Sequence, residues 1–425
     1  METPNKGDSR WGSLFKNDLQ GMLLPILLIT IIGSVNIFSA TYISSIYENT
    51  GLLGYFSKHI GFLFLSMAIG VILYRYDYRQ LQKPHMLQRI MIATLIGMVL
   101  VLVAGSVING ARRWIVIGPV SIQPSEFAKL AAIIWTSAKL STMRKWGKSR
   151  YNNPLTNLQG YVSERVGYML PMLVWPIIFA VLTILQPDMG TTVLIFGFSF
   201  ILIYLAGFDG RFFGGAFAVA GVIGFIAARM SPYRWERIQS WFDPWPHAQD
   251  MGYQTVQGLL AVGSGGILGE GWAQEMGFIG AVFVVLLVAA FTFFGFRIAN
   301  RSRDEFGKWL AMGITLLISG QALFNIAMVC GIMPVTGVPL PFISYGGSSL
   351  LMNFMAIGLL ASVGRRNVEG VKQVGTAETL PSLREETQSR FKPAAPKSSQ
   401  KMEMPGPFRP RETKKPTRRR PRSER

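Results

Sequence analysis

The sequence predicts an all-α integral membrane protein of ten transmembrane helices, with a large outer loop between the seventh and eighth. Half of the 425 residues are hydrophobic and only 15% are charged, where soluble domains carry about 25% charged residues. Apolar runs of about 20 residues, the length that crosses a ~30 Å hydrocarbon core, recur along the chain. The formal net charge of +19 gathers in particular connecting segments. Lipid is therefore the solvent for most of this chain.

The spans are expected near residues 21–43, 56–74, 89–106, 123–140, 167–185, 188–206, 213–229, 272–296, 308–330 and 346–363. The first follows Lys6, Arg10 and Lys16. Its apolar run exceeds the ~7–15 residues of a signal-peptide core, so it reads as an uncleaved span. One set of loops holds Arg75, Arg79 and Lys83, then Arg144, Lys145, Lys148 and Arg150, then Arg211, then Arg297, Arg301, Arg303 and Lys308. The two terminal segments share that cationic character, which places both termini in the cytoplasm under the positive-inside rule. The opposite loops are poorer in cations, with Arg112, Arg113, Arg229, Arg234 and Arg237 as exceptions.

Three regions follow: a cytoplasmic segment 1–20, a ten-helix membrane domain 21–366, and a tail 367–425 in which the seven prolines from Pro393 to Pro421 alternate with Lys and Arg up to RRRPRSER. Apolar periodicity stops at the tail, so it is expected to be disordered. It is either a solvated topogenic tail or an attachment to anionic lipid or an acidic partner. No folded recognition module accompanies the charge, which argues against nucleic acid. Cys330, the single cysteine, excludes an intramolecular disulfide and a cysteine-rich metal site.

Ionisable residues in or beside a span cost several kcal/mol unless they are paired or face a wet cavity, and four polar clusters meet that description. In NGARRWIVIGPVSIQPSEFAKL (109–130), Arg112 and Arg113 precede a Gly118-Pro119 turn, and Glu126 and Lys129 share a face of the fourth helix. An ion pair explains the last two but leaves the arginines unexplained. In QPDMGTT (186–192), Pro187 breaks the chain and Asp188 either caps the next helix or lines a cavity.

The third cluster is the outer loop after span seven. There Tyr233, Trp235, Trp241, Phe242 and Trp245 suit an interfacial belt, and Met251 to Val262 suit a short surface helix. Arg234, Arg237, Gln254 and Gln257 are not accounted for by that belt. The fourth cluster is MPVTGVPLPFISYGGSSLLMNF (333–354), whose prolines forbid regular helix before Gly346, Gly347, Ser348 and Ser349 start the last span. Irregular backbone at membrane depth belongs beside a cavity, and amides at a helix start suit an anionic headgroup. A tight turn between helices is the simpler alternative.

Together, NGARRWI with QPSEFAKLA, QPDMGTT, DPW followed by GYQTVQGLLAVGSGGILGEG, AQEMGFIG and PVTGVPLPFISYGGSS resemble the SEDS family, the FtsW, RodA and SpoVE proteins of shape, elongation, division and sporulation. The match runs through residues 15–367, and DPW and QGLLA resemble FtsW more than RodA. The resemblance implies a peptidoglycan glycosyltransferase that polymerises lipid II on the outer face of the bacterial cytoplasmic membrane, beside a class B penicillin-binding protein. Such chemistry needs a general base for the attacking sugar hydroxyl and cations for the departing pyrophosphate.

With the polar clusters, the resemblance nominates Arg112, Arg113, Glu126, Lys129, Asp188, Gln254, Glu275, Ser344 and Ser348 as substrate-binding residues. A divalent ion would suit the leaving group, but no ligand set in the sequence points to one. Members of the family continue from the glycine-rich loop through a segment like Leu-Pro-Glu-x-His-Thr-Asp-Phe, whose aspartate is the proposed base. Here Gly271 abuts Trp272 and His-Thr-Asp occurs nowhere, which leaves Glu270 as the one substitute, on a flexible loop, and the catalytic residue unassigned. Two further readings stay open: a lipid II flippase or transporter, and a catalytically silent scaffold for a penicillin-binding protein.

Overall fold

The computed structural model describes residues 18–47, 54–108, 111–118, 120–143, 157–230, 232–249, 252–264, 266 and 277–378. The chain divides into two units between Lys372 and Gln373, and the bundle with its site belongs to the first. Seven helices are long and apolar enough to cross a membrane: α1 (Asp18–Tyr47), α2 (Gly54–Arg75), α3 (Pro84–Ala104), α5 (Leu158–Leu185), α10 (Gly277–Asn300), α11 (Glu305–Val329) and α12 (Gly347–Glu378). Two shorter apolar helices, α6 (Met189–Leu205) and α7 (Gly210–Arg229), and the more polar α4 (Pro124–Thr142) bring the described set to the ten expected.

Two further helices are not spans. α8 (Pro232–Phe242) and α9 (Tyr253–Ser264) lie in the loop after α7, and α9 is the short helix expected over 251–262. The third span starts at Pro84 instead of residue 89, because proline at a first helical turn gives up no internal hydrogen bond. The expected start of the eighth at Trp272, with Glu270 and Glu275, lies outside the described residues.

A feature not anticipated from the sequence is a small antiparallel sheet between α3 and α4, with strands β1 (Ser106–Ile108), β2 (Ala111–Ile117) and β3 (Val120–Ile122) in that order. Val116 faces Ser121 and Ile117 faces Val120 across the β2–β3 hairpin. Gly118, at φ +59°, supplies the left-handed residue that its turn requires.

α4 is the centre of the bundle: it packs against α3, α5, α6 and α11, and fourteen of its 19 residues are buried. Its small residues, among them Ala128, Ala131, Ala132, Ser137 and Ala138, let neighbouring helices approach closely, which is how helices associate where lipid removes the hydrophobic drive. Where α5 contains Pro176, the missing amide frees the carbonyl of Met172, and Thr136 of α4 donates its hydroxyl to that oxygen at 3.5 Å. On the far side α1 lies along α10, with Met22, Ile26 and Ile29 joining Phe291, Phe294 and Ile298 in one core.

One end of the bundle is held by charge. Asp18 takes Arg297 at 2.9 Å and Arg301 at 2.7 Å, Asp77 takes Arg366 at 2.7 Å, and Asp304 takes Arg79 at 3.2 Å. Tyr78 donates its hydroxyl to Asp304 at 2.5 Å. Burial and the hydrogen bond to Asp304 push its phenol up to about 12, so it remains a donor throughout the physiological range. Gln82 Nε2 donates to Ser141 at 2.9 Å, which places the C-terminal end of α4 there as well.

There too Asp209, the N-cap of α7, receives Arg165 at 2.8 Å and the Tyr161 hydroxyl at 2.8 Å. Burial raises the Asp209 carboxyl, but hydrogen bonds from Tyr161, Arg165 and the Arg211 amide outweigh it and hold the group below the ordinary carboxylate range. A depressed carboxyl stabilises the fold above its unfolded value and loses that contribution as pH falls through the folded value. Thermal stability in detergent is therefore expected to fall on acidification below about pH 4, and the Asp209→Asn variant to show a smaller acid loss from a lower start. An acid loss of equal size in both proteins would remove Asp209 from this account.

Candidate functional site

The other end of the bundle carries the sheet, α8, α9 and the irregular segment 331–346, and the sequence-nominated residues converge there. Three sets of contacts build it. The first joins the starts of three helices. Gln123, the N-cap of α4, donates its amide to Ser348 Oγ at 3.0 Å and its side-chain nitrogen to Asp188 at 3.2 Å. Ser348, in the first turn of α12, donates to the Ser121 carbonyl at 3.1 Å. Asp188 caps α6 by accepting from Thr191 through both the amide (3.2 Å) and the hydroxyl (2.8 Å). With Asp188 and Ser348 both buried, these residues organise the outer ends of α4, α6 and α12.

The second set is a buried charge network. Lys129 Nζ lies 2.9 Å from both oxygens of Glu126, and both side chains are almost wholly buried. It hydrogen-bonds Oε1, while Glu126 Oε2 shares the charge without a hydrogen bond of its own. Lys129 also donates to Gln321 Oε1 on α11 at 2.8 Å, and Gln321 Nε2 passes the chain on to the Pro339 carbonyl at 2.9 Å. One turn along α11, Asn325 Nδ2 donates to the Val338 carbonyl at 2.7 Å. Two amides four residues apart thus satisfy two carbonyls of a segment whose prolines keep it from forming a regular helix.

The third set shapes that segment. Ser344 Oγ accepts from the Leu340 amide at 2.8 Å, and Phe342 holds a left-handed φ of +65°, a conformation that costs a bulky residue on the order of 1–3 kcal/mol. Gly33 of α1 allows it: a Cβ there would lie 2.3 Å from the Phe342 carbonyl oxygen. Below the segment, Trp241 of α8 donates to the Gly331 carbonyl at 2.8 Å.

Together these contacts wall a cavity of about 520 Å³ whose polar lining is Tyr253, Gln254, Gln257, Asn325 and Ser344. That size lies inside the ~300–1,000 Å³ range of small-molecule sites. The lining offers amides and hydroxyls, the groups that bond sugar hydroxyls and acetamides. Among the described residues that line it there is no carboxylate. The Glu126–Lys129 pair sits one layer behind the wall and reaches it through Gln321 and Pro339.

The two arginines part company on β2, where successive side chains take opposite faces. Arg113 is half-buried and donates Nε to the Gln186 carbonyl at 3.2 Å and Nη2 to the Pro187 carbonyl. Arg112 is exposed and has no partner among the described residues. Arg113 therefore fastens the sheet to the α5–α6 turn, while Arg112 keeps its donors for something outside the protein.

Of the residues nominated from sequence, Gln254 and Ser344 line the cavity, Glu126 and Lys129 lie behind it, and Asp188 and Ser348 shape the helix ends around it. Glu270 and Glu275 lie outside the described residues. Sequence reasoning passed over Gln321 and Asn325, although two amides at i and i+4 inside an apolar span are a visible signal.

Comparison with known proteins gives this geometry its relatives. The family model described as cell cycle protein, FtsW/RodA/SpoVE, matches residues 20–275 and again 273–369. The match thus breaks and restarts beside the Gly271–Trp272 junction. Stage V sporulation protein E of Bacillus subtilis is 33% identical over 82% of this chain and 97% of its own length. A probable peptidoglycan glycosyltransferase FtsW of Saccharophagus degradans is 34% identical over 73% of this chain and 82% of its own.

Among solved structures, one described as the structural coordination of polymerization and crosslinking by a peptidoglycan synthase complex superposes with a TM-score of 0.64 at 28% identity, covering 82% of this chain and 98% of that one. Thermus thermophilus rod shape determining protein RodA gives 0.57 at 25% identity, covering 82% of this chain and 96% of that one. The chain, a multi-pass membrane protein with this helix order and these motifs, belongs to the FtsW/RodA/SpoVE family of cell cycle proteins.

Proposed function

We propose that this chain is a lipid II-binding peptidoglycan polymerase of the bacterial cytoplasmic membrane, with both termini cytoplasmic, a cavity open to the outside and weak intrinsic catalysis. One arrangement supports the reading: the end of the bundle that holds a cavity lined by amides and hydroxyls also carries the sheet with the exposed Arg112. Polymerisation joins a sugar hydroxyl of one lipid-linked disaccharide to the anomeric carbon of another, and undecaprenyl pyrophosphate leaves. Tyr253, Gln254, Gln257 and Ser344 orient the sugars, Arg112 receives the pyrophosphate charge, and Arg113 holds the sheet in place.

Among the described residues that line this cavity, none is a positioned base. The described residues hold no group of three or more His, Cys, Asp or Glu that fits a metal ion, so no step is assigned to a divalent cation. The lack of a lining carboxylate among the described residues favours a second reading, a catalytically silent scaffold for a penicillin-binding protein, with a class B penicillin-binding protein as the companion in either case. Polymer formation from purified lipid II by the chain with and without that partner separates them. Synthesis by the chain alone supports the polymerase, and no product in either arm leaves the scaffold.

Arg112→Gln is expected to weaken lipid II binding by roughly ten- to a hundredfold, the loss of one charge-assisted contact worth ~1.5–3 kcal/mol. Arg113→Gln should instead lower thermal stability and weaken binding less. Equal binding losses with unchanged stability would refute the division of labour between them.

A further inference from the structure

We propose that the slot between α1, α2 and α12 is a binding site for an anionic phospholipid, remote from the sugar cavity and independent of the polymerase reading. The slot has a volume of about 740 Å³ and is walled by Leu23 and Leu27 of α1, Met67 and Val71 of α2, and Phe354 and Ile357 of α12. Its floor exists because α2 and α12 touch backbone to backbone. A Cβ on Gly358 would lie 2.3 Å from the Gly70 carbonyl oxygen, and one on Gly70 would lie 3.0 Å from that of Phe354. Bulkier residues on either side keep the helix flanks apart, and Leu23, Leu27, Met67 and Val71 remain 40–52% exposed. The walls are apolar, so the occupant has an alkyl portion.

The mouth decides which alkyl compound. Leu19 and Tyr74, at the charged end of the bundle, line the slot there. Arg75 follows Tyr74 and is exposed. The Arg365 guanidinium lies 5.3 Å from the Tyr74 ring and donates to the Arg75 carbonyl at 3.2 Å. Asp18, next to Leu19, is shared by Arg297 and Arg301, and Asp77 by Arg366. Among the described residues, Arg297 and Arg301 share the single charge of Asp18 and Arg75 is exposed beside Tyr74, which leaves the mouth net positive.

A transmembrane helix would fill the slot but leave those charges unanswered unless it brought acids to the same level. One phospholipid molecule supplies both the alkyl chain and the phosphate, at the depth where the walls end and the arginines begin. Cations at a membrane surface select anionic over zwitterionic headgroups. The bound lipid would touch α1, α2 and α12 together.

The test uses the full chain in detergent, supplied with equal amounts of phosphatidylglycerol and phosphatidylcholine and read by native mass spectrometry. Retained phosphatidylglycerol should exceed phosphatidylcholine on the order of tenfold. Arg75→Gln with Arg365→Gln should bring the ratio near parity. Should that pair fail to fold, Arg75→Gln alone, at an exposed position, should lower it part of the way. Leu27→Trp, which fills the slot and spares the charge, should reduce retention of both lipids.

Parity in the unmodified protein, an unchanged ratio without the arginines, or full retention in Leu27→Trp would overturn the proposal. A photoactivatable residue replacing Leu23 in cells then identifies the occupant. A phospholipid adduct supports the assignment, and an adduct to a polypeptide or to a polyisoprenyl phosphate refutes it.

Discussion

Insertion of a family relative's loop between Gly271 and Trp272 is expected to raise polymer formation from purified lipid II by on the order of 10²–10⁴, the usual worth of a positioned general base. The cavity already offers groups that orient sugars, in Tyr253, Gln254, Gln257, Asn325 and Ser344, and Arg112 lies exposed on the sheet. Among the described residues that line it, none accepts a proton as a carboxylate does. The junction at which the family match breaks and restarts, near residues 273–275, is where the resemblance places the missing Leu-Pro-Glu-x-His-Thr-Asp-Phe segment. The loss is therefore local and should be reversible by insertion.

Changing the inserted aspartate to asparagine should abolish the gain and leave lipid II affinity within about twofold, since a base acts on the transition state more than on binding. Vigorous polymerisation by the unmodified chain would sink this account, and a loss of that activity in Glu270→Gln would then identify the substitute base. A gain that survives the asparagine change would mean that the loop restores geometry and not a proton acceptor.

The spans were legible because bilayer thickness and apolar run length constrain each other directly, and α4 was legible even though Glu126 and Lys129 interrupt it. The sheet was harder to see. β1 and β3 are three residues each, and the signal that remained was the short β-branched and aromatic run Trp114–Ile117 ahead of a Gly-Pro turn. Without the strand, the outward arginines could not be told apart, because only the alternation of faces assigns Arg113 to the carbonyls of 186–187 and Arg112 to the outside.

The i, i+3 spacing identified Glu126 and Lys129 as a pair. Gln321, their third member, stands 192 residues away, and no local pattern links residues at that separation. Searching the spans for charge alone also hid Gln321 and Asn325, which carry no charge and yet organise the cavity wall.

The Lys129→Met variant is expected to lose about 3–5 kcal/mol of stability, the cost of leaving one partner of a buried ion pair uncompensated. Glu126 is almost wholly buried, and Lys129 is its one charged partner among the described residues, so no neighbour replaces it. Gln321 would lose its donor as well, and with it part of the link from α4 through α11 to Pro339. Glu126→Leu combined with Lys129→Met removes both charges and leaves apolar groups of similar volume against α11. That pair should recover most of the loss, to within about 1 kcal/mol of the unmodified protein, because apolar replacements of a buried ion pair are commonly neutral or stabilising. Equilibrium unfolding in mixed micelles measures all three proteins. A Lys129→Met protein as stable as the parent would mean that the pair is solvated in solution, and a double variant as unstable as the single one would place the cost in packing and not in charge.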